Sequence, residues 1–70
     1  MEVSPEYKAI IEAIVKRRQA LGWSQKEMAN VLHVSQSTIG RIEAFSNIPS
    51  VETLLKIIAP LGITLTVIEK

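Results

Sequence analysis

Ser24 to Ala44 reads SQKEMANVLHVSQSTIGRIEA, and two helix starts lie within it. Ser24-Gln25-Lys26-Glu27 is a capping-box sequence: the serine hydroxyl can take the N–H three residues on, and the glutamate can reach back to the serine N–H. Met28, Ala29, Val31 and Leu32 then supply the apolar side of a helix. Ser35 is a second N-cap, so this helix is short and only His33 and Val34 separate it from the next. The next helix is expected from Gln36 to about Ala44. At about 100° per residue, Ile39 and Ile42 turn to one side with Val34, while Ser37 and Arg41 turn nearly opposite. Gln36, Gly40 and Ala44 flank that outer pair.

Outward from this centre the chain continues in helices. Ser4-Pro5-Glu6 joins an N-cap serine, a proline at the first helical position and an acid near the positive end of the dipole. Tyr7, Ile10, Ile11, Ile14, Val15, Arg18 and Leu21 recur at helical spacing, and Gly22 closes that helix. On the other side, FSNIP (Phe45 to Pro49) is a loop, and Ser50 caps a fourth helix with a stripe of Val51, Leu54, Leu55, Ile58 and Leu61. Pro60 lacks the N–H that would bond the Lys56 carbonyl, so the last turn should be distorted or already ending. After Gly62, Ile63, Leu65 and Val67 alternate with Thr64 and Thr66, the period of a half-buried strand.

The chain has 70 residues, 47% of them apolar, no cysteine and a formal charge of +1. That is one small domain, residues 1–70, with neither disulfides nor thiolate metal sites to reinforce it. An isolated core of this size buries only about 60% of the unfolded chain's surface, so oligomerisation is a natural source of further burial. No apolar run approaches the roughly 18 residues of a membrane span, and MEVSPEYK is too acidic and polar for a secretory signal. The expectation is a soluble cytoplasmic protein with no membrane partner. Lys16, Arg17, Arg18, Lys26 and Arg41 all fall in the first 41 residues, so position carries more information than net charge.

Two short helices joined by about three residues describe a helix-turn-helix. The outer face of the second offers an amide, a hydroxyl and a guanidinium around the side-chain-free Gly40. Arginine can bind guanine O6 and N7 together, and glutamine can bind adenine N6 and N7. Gly40 costs about 1 kcal/mol of helix propensity relative to alanine, which close approach of a partner surface would justify. A solvated polar face with a tolerated glycine is the other reading, and periodicity alone leaves the two level.

The stretch LGWSQKEMANVLHVSQSTIGRIE, Leu21 to Glu43, resembles the Cro/XRE (lambda repressor-like) helix-turn-helix family. The resemblance rests on Gln25 opening helix two, Ala29 four residues on, Val34-Ser35 before helix three, then Ile39 and Glu43, and it covers about residues 8–62. With the Gly22-Trp23 pair and the strand after helix four, the chain is similar to antitoxin subunits of bacterial toxin–antitoxin modules, of the HipB and HigA types. The resemblance implies an all-α, four-helix domain with a short C-terminal β-strand pairing across a dimer. It also implies that Gln36, Ser37 and Arg41 contact bases, and that Gln25 contacts a phosphate, as the free N–H groups of a helix start would favour. Ser24, Lys26 and Thr38 are further backbone contacts, and Asn47 is the best remaining candidate in a loop that lacks Lys and Arg. His33 stands where the family has glycine, which implies a left-handed turn residue. Phe45 stands where Gly or Asn is frequent and is expected to anchor its loop on the core. Trp23 is expected as a core plug between helices one and two.

Arg18 lies on the buried stripe of helix one and Glu43 at the edge of helix three's inner face; either charge left unpaired there would be costly. Family members commonly pair these positions, so an Arg18–Glu43 salt bridge is expected. The strand is expected to pair with its own copy, burying Ile63, Leu65 and Val67 and presenting two recognition helices to half-sites roughly 34 Å apart in a palindromic operator. A rival occupant of the strand is the sheet edge of a cognate toxin. An enzyme is not expected: there is one histidine, no glycine-rich phosphate loop and no zinc spacing, and no cofactor is implied. The alternatives for function are a stand-alone Cro-like repressor and a protein-interaction adaptor without DNA binding.

Overall fold

In a computed structural model that describes residues 2–69, every helix begins on a serine. α1 (Pro5–Ala20), α2 (Gln25–Leu32), α3 (Gln36–Glu43) and α4 (Val51–Ile58) follow Ser4, Ser24, Ser35 and Ser50, and a single 3-10 turn, Ala59–Leu61, extends α4. Each serine hydroxyl accepts the backbone N–H three residues on, at 3.0 to 3.2 Å. At Ser24 the box is complete, because Glu27 Oε1 also accepts the Ser24 N–H at 3.0 Å. Hydrogen bonding from Ser24, its backbone N–H first and its side chain second, holds the Glu27 carboxyl below its ordinary pKa.

The helix ends also share one motif. Gly22 (φ 76°), His33 (φ 58°), Phe45 (φ 63°) and Gly62 (φ 74°) are left-handed. At each, the left-handed residue donates to the carbonyl three before it and its successor donates to the carbonyl five before itself, as in Gly22 to Gln19 and Trp23 to Arg18. This double closure satisfies carbonyls that a helix end would otherwise leave free. Pro60 falls inside the 3-10 turn, where the regular helix has already stopped.

Ile11 and Ile14 of α1, Met28 and Ala29 of α2, Ile39 and Ile42 of α3, and Leu54, Ile57, Ile58 and Leu61 around α4 form one core. Trp23 is half-buried against it. The core uses a narrower arc of each helix than the apolar residues span. Val31 lies about 105° from the centre of the Met28–Ala29–Leu32 stripe and is exposed, as are Val34, Leu21, Val51 and Leu55, which the sequence places inside. Ile57, left out of that stripe, is buried in their place. Tyr7 meets Phe45 edge to face, with centroids 6.3 Å apart and planes at 69°. The Tyr7 hydroxyl is buried without a protein partner, and burial raises its pKa.

The strand expected over residues 63–67 is not formed. Among the described residues there is no strand; residues 63–69 have no regular secondary structure, and no backbone hydrogen bond joins 64–69 to another described residue. A strand exists through its ladder, and the rest of this chain is helix and short turns. Ile63 and Leu65 lie on the core, but Val67 is 91% exposed and Ile68 81%. No helix among the described residues is long and apolar enough to cross a membrane.

Candidate nucleic-acid interface

α3 is held by its inner face and both its ends. Ile39 and Ile42 are buried, Ser35 caps the start, and the Arg41 carbonyl accepts the N–H groups of Ser46 (2.9 Å) and Asn47 (3.2 Å) and the Ser46 hydroxyl (3.2 Å). The outer face is thereby fixed without using its own side chains. Gln36, Ser37 and Arg41 are exposed, and among the described residues the Gln36 amide and the Arg41 guanidinium have no protein partner. Ser37 Oγ lies 3.2 Å from Ser35 Oγ, which also lies 2.8 Å from Thr38 Oγ1. The three hydroxyls make a short chain at the helix start, with Thr38 half-buried.

α2 lies beside α3 and turns its first residues outward. Ser24 and Lys26 are exposed. The Glu27 N–H is taken by the cap and the Met28 N–H by the Ser24 carbonyl. Helix geometry leaves the N–H groups of Gln25 and Lys26 without an intrahelical acceptor. Asn47, exposed after α3, keeps its side chain unpaired among the described residues. An alanine Cβ at Gly40 would meet Gln25 Oε1 at 3.6 Å, an ordinary contact, so nothing inside the chain requires that glycine.

Behind this surface the structure brings Arg18 and Glu43 together. Arg18 is only 9% exposed; its Nε donates to Glu43 Oε2 at 2.8 Å and its Nη2 to Glu43 Oε1 at 3.1 Å, while Nη1 donates to the Trp23 carbonyl at 2.7 Å. The two-pronged geometry is the strong form of this pair. Two partners went unseen in the sequence. Gln25 Nε2 donates to Glu43 Oε1 at 3.0 Å, so the residue expected at a phosphate is also tied to the ion pair. Arg17 Nε donates to the Leu61 carbonyl at 2.8 Å, joining α1 to the end of α4. A free carbonyl at a helix end favours a cation, but no spacing rule says which arginine of α1 reaches it. Of the cations near the unit, Arg17 and Arg18 thus serve the fold, and Lys26 and Arg41 stay available to a ligand.

A family model described as helix-turn-helix matches residues 14–68. The chain belongs to the helix-turn-helix family. It is 45% identical over 60 residues to an uncharacterized HTH-type transcriptional regulator of Haemophilus influenzae, a match covering 86% of this chain and 61% of the relative. The chain thus spans about three fifths of the length of that regulator. No solved structure matches the chain significantly. Within the helix-turn-helix unit, α2 is the supporting helix, His33-Val34-Ser35 is the turn, and α3 is the helix whose free face lies opposite the core.

Proposed function

We propose that this protein is a sequence-specific DNA-binding repressor of transcription. The observation that carries the reading is the exposed row Gln36, Ser37 and Arg41 on a helix whose opposite face is sealed into the core. Arg41 and Gln36 are the base readers, Ser37 a shorter-range one, and Ser24, Gln25, Lys26, Thr38 and Asn47 position the duplex through its phosphates. An adaptor groove would call for exposed apolar anchors on α3, and its outer face is polar. A gel shift on DNA from upstream of the gene, with and without excess random duplex, tests this. Arg41→Ala should cost about 1–3 kcal/mol on the operator and little on random DNA. Equal losses on both would remove Arg41 from base reading.

The exposed Val67 and Ile68 and the unpaired backbone around them support a second element of the reading, assembly through the tail. Two tails pairing antiparallel about a two-fold axis would place two copies of α3 on a palindromic operator. Deleting residues 63–70 should give a monomer with weak operator binding; an intact dimer after the deletion would sink the pairing. The resemblance to antitoxins extends the proposal to a cytoplasmic protein that represses its own operon and neutralises a cognate toxin. Co-purification with the product of a neighbouring toxin-like gene tests that role.

A further inference from the structure

Glu43 accepts three side-chain hydrogen bonds, two from Arg18 of α1 and one from Gln25 in the first turn of α2. Its Oε1 accepts both Arg18 Nη2 (3.1 Å) and Gln25 Nε2 (3.0 Å), and Arg18 reaches the Trp23 carbonyl, next to the Ser24 cap, at 2.7 Å. A carboxylate only accepts hydrogen bonds, so the Gln25 amide nitrogen must face it. The Gln25 Oε1 then points toward Gly40, where an added Cβ would lie 3.6 Å away. One N–H of Nε2 is used on Glu43, and the second has no protein partner among the described residues; the backbone N–H groups of Gln25 and Lys26, on the same first turn, are free as well.

From this we infer that Glu43 is a positioning residue for DNA binding: through Gln25 it orients the one side-chain N–H that joins the α2 start in grasping a phosphate. The inference rests on the DNA-binding reading proposed above. Its sign is distinctive. Glu43 is an anion hydrogen-bonded to Gln25, the residue proposed to meet a phosphate, so electrostatics alone would make Glu43→Gln a better binder. Positioning makes it a worse one, because a neutral amide is a weaker acceptor for Gln25.

The probe is a short random-sequence duplex at low salt, since a phosphate contact does not depend on sequence. Binding is compared for the wild type, Gln25→Met, Glu43→Gln and the double variant, each first checked for helix content. Gln25→Met should weaken binding about three- to ten-fold with little change in salt dependence, since no charge is lost. Glu43→Gln should weaken the wild type by a similar factor and leave Gln25→Met unchanged. Tighter binding by Glu43→Gln, or equal losses in both backgrounds, would overturn the inference. Where Glu43→Gln does not fold, side-chain amide exchange in the wild type decides. The Gln25 NH2 protons should exchange with water well below the rate of the exposed Gln36, and equal rates would end the proposal. A wild type that ignores every duplex while Gln25 stays protected would dismiss the DNA reading and the positioning role with it, leaving only the Glu43–Gln25 hydrogen bond.

Discussion

The four helix ends of this chain are closed by the same pair of hydrogen bonds, yet they divide into two kinds. α1 and α4 end on Gly22 and Gly62, which adopt φ above 70° freely. The two helices of the helix-turn-helix end on His33 and Phe45, where a Cβ makes the same conformation cost about 1–2 kcal/mol. The two strained ends also differ from one another. Phe45 is half-buried, packed on the core and against Tyr7, so its ring offsets the backbone. His33 is exposed and makes no side-chain hydrogen bond among the described residues. The scaffold helices thus end where the backbone is comfortable, and α3 is bracketed by two residues that hold an uncomfortable turn.

Substitutions at and beside these ends test that contrast. The largest effect is expected just before the Phe45 closure. Glu43→Gln leaves Arg18 buried without its counter-charge and should cost about 3–5 kcal/mol by chemical denaturation, enough to unfold much of a 70-residue domain. Unchanged melting would mean that the pair contributes nothing. Phe45→Ala should come next, at about 2–3 kcal/mol, since it loses the ring and keeps the strained backbone. Phe45→Gly should be milder by about 1 kcal/mol, and that difference measures the strain at this end.

Gly22→Ala should cost about 1–2 kcal/mol with no steric part, because nothing lies within 4 Å of the added Cβ. A much larger loss would show that more than φ is at stake there. The smallest effect is expected at the turn, where His33→Gly should stabilise by up to about 1 kcal/mol. If stability instead falls at neutral pH, the histidine side chain contributes something its exposed position does not reveal.

Much of this architecture is legible in the residues themselves. Local chemistry declares the serine caps, the capping box and the closures at Gly22 and Gly62, because each depends on residues within about five positions. His33 in a left-handed turn follows from the missing glycine, whereas the same geometry at Phe45 has no local sign. Contacts between helices are less readable. Periodicity puts Arg18 on the buried side of α1 but cannot say that Gln25 will share Glu43 with it, or that Arg17 will find Leu61. Apolar residues at helix edges mislead for a related reason: α2, α3 and α4 have eight residues each, and a domain this small has too little interior for Val31, Val34 and Leu55. For the tail, alternation identifies a face, and Ile63 and Leu65 do lie on the core. It cannot supply the neighbour that a ladder requires.

The bond from Arg17 to the Leu61 carbonyl governs more than the corner it spans. Leu61 comes two residues before the tail, so one guanidinium anchored on α1 sets the bearing along which the chain leaves the domain. Any assembly joined through that exit would inherit its angle from this anchor.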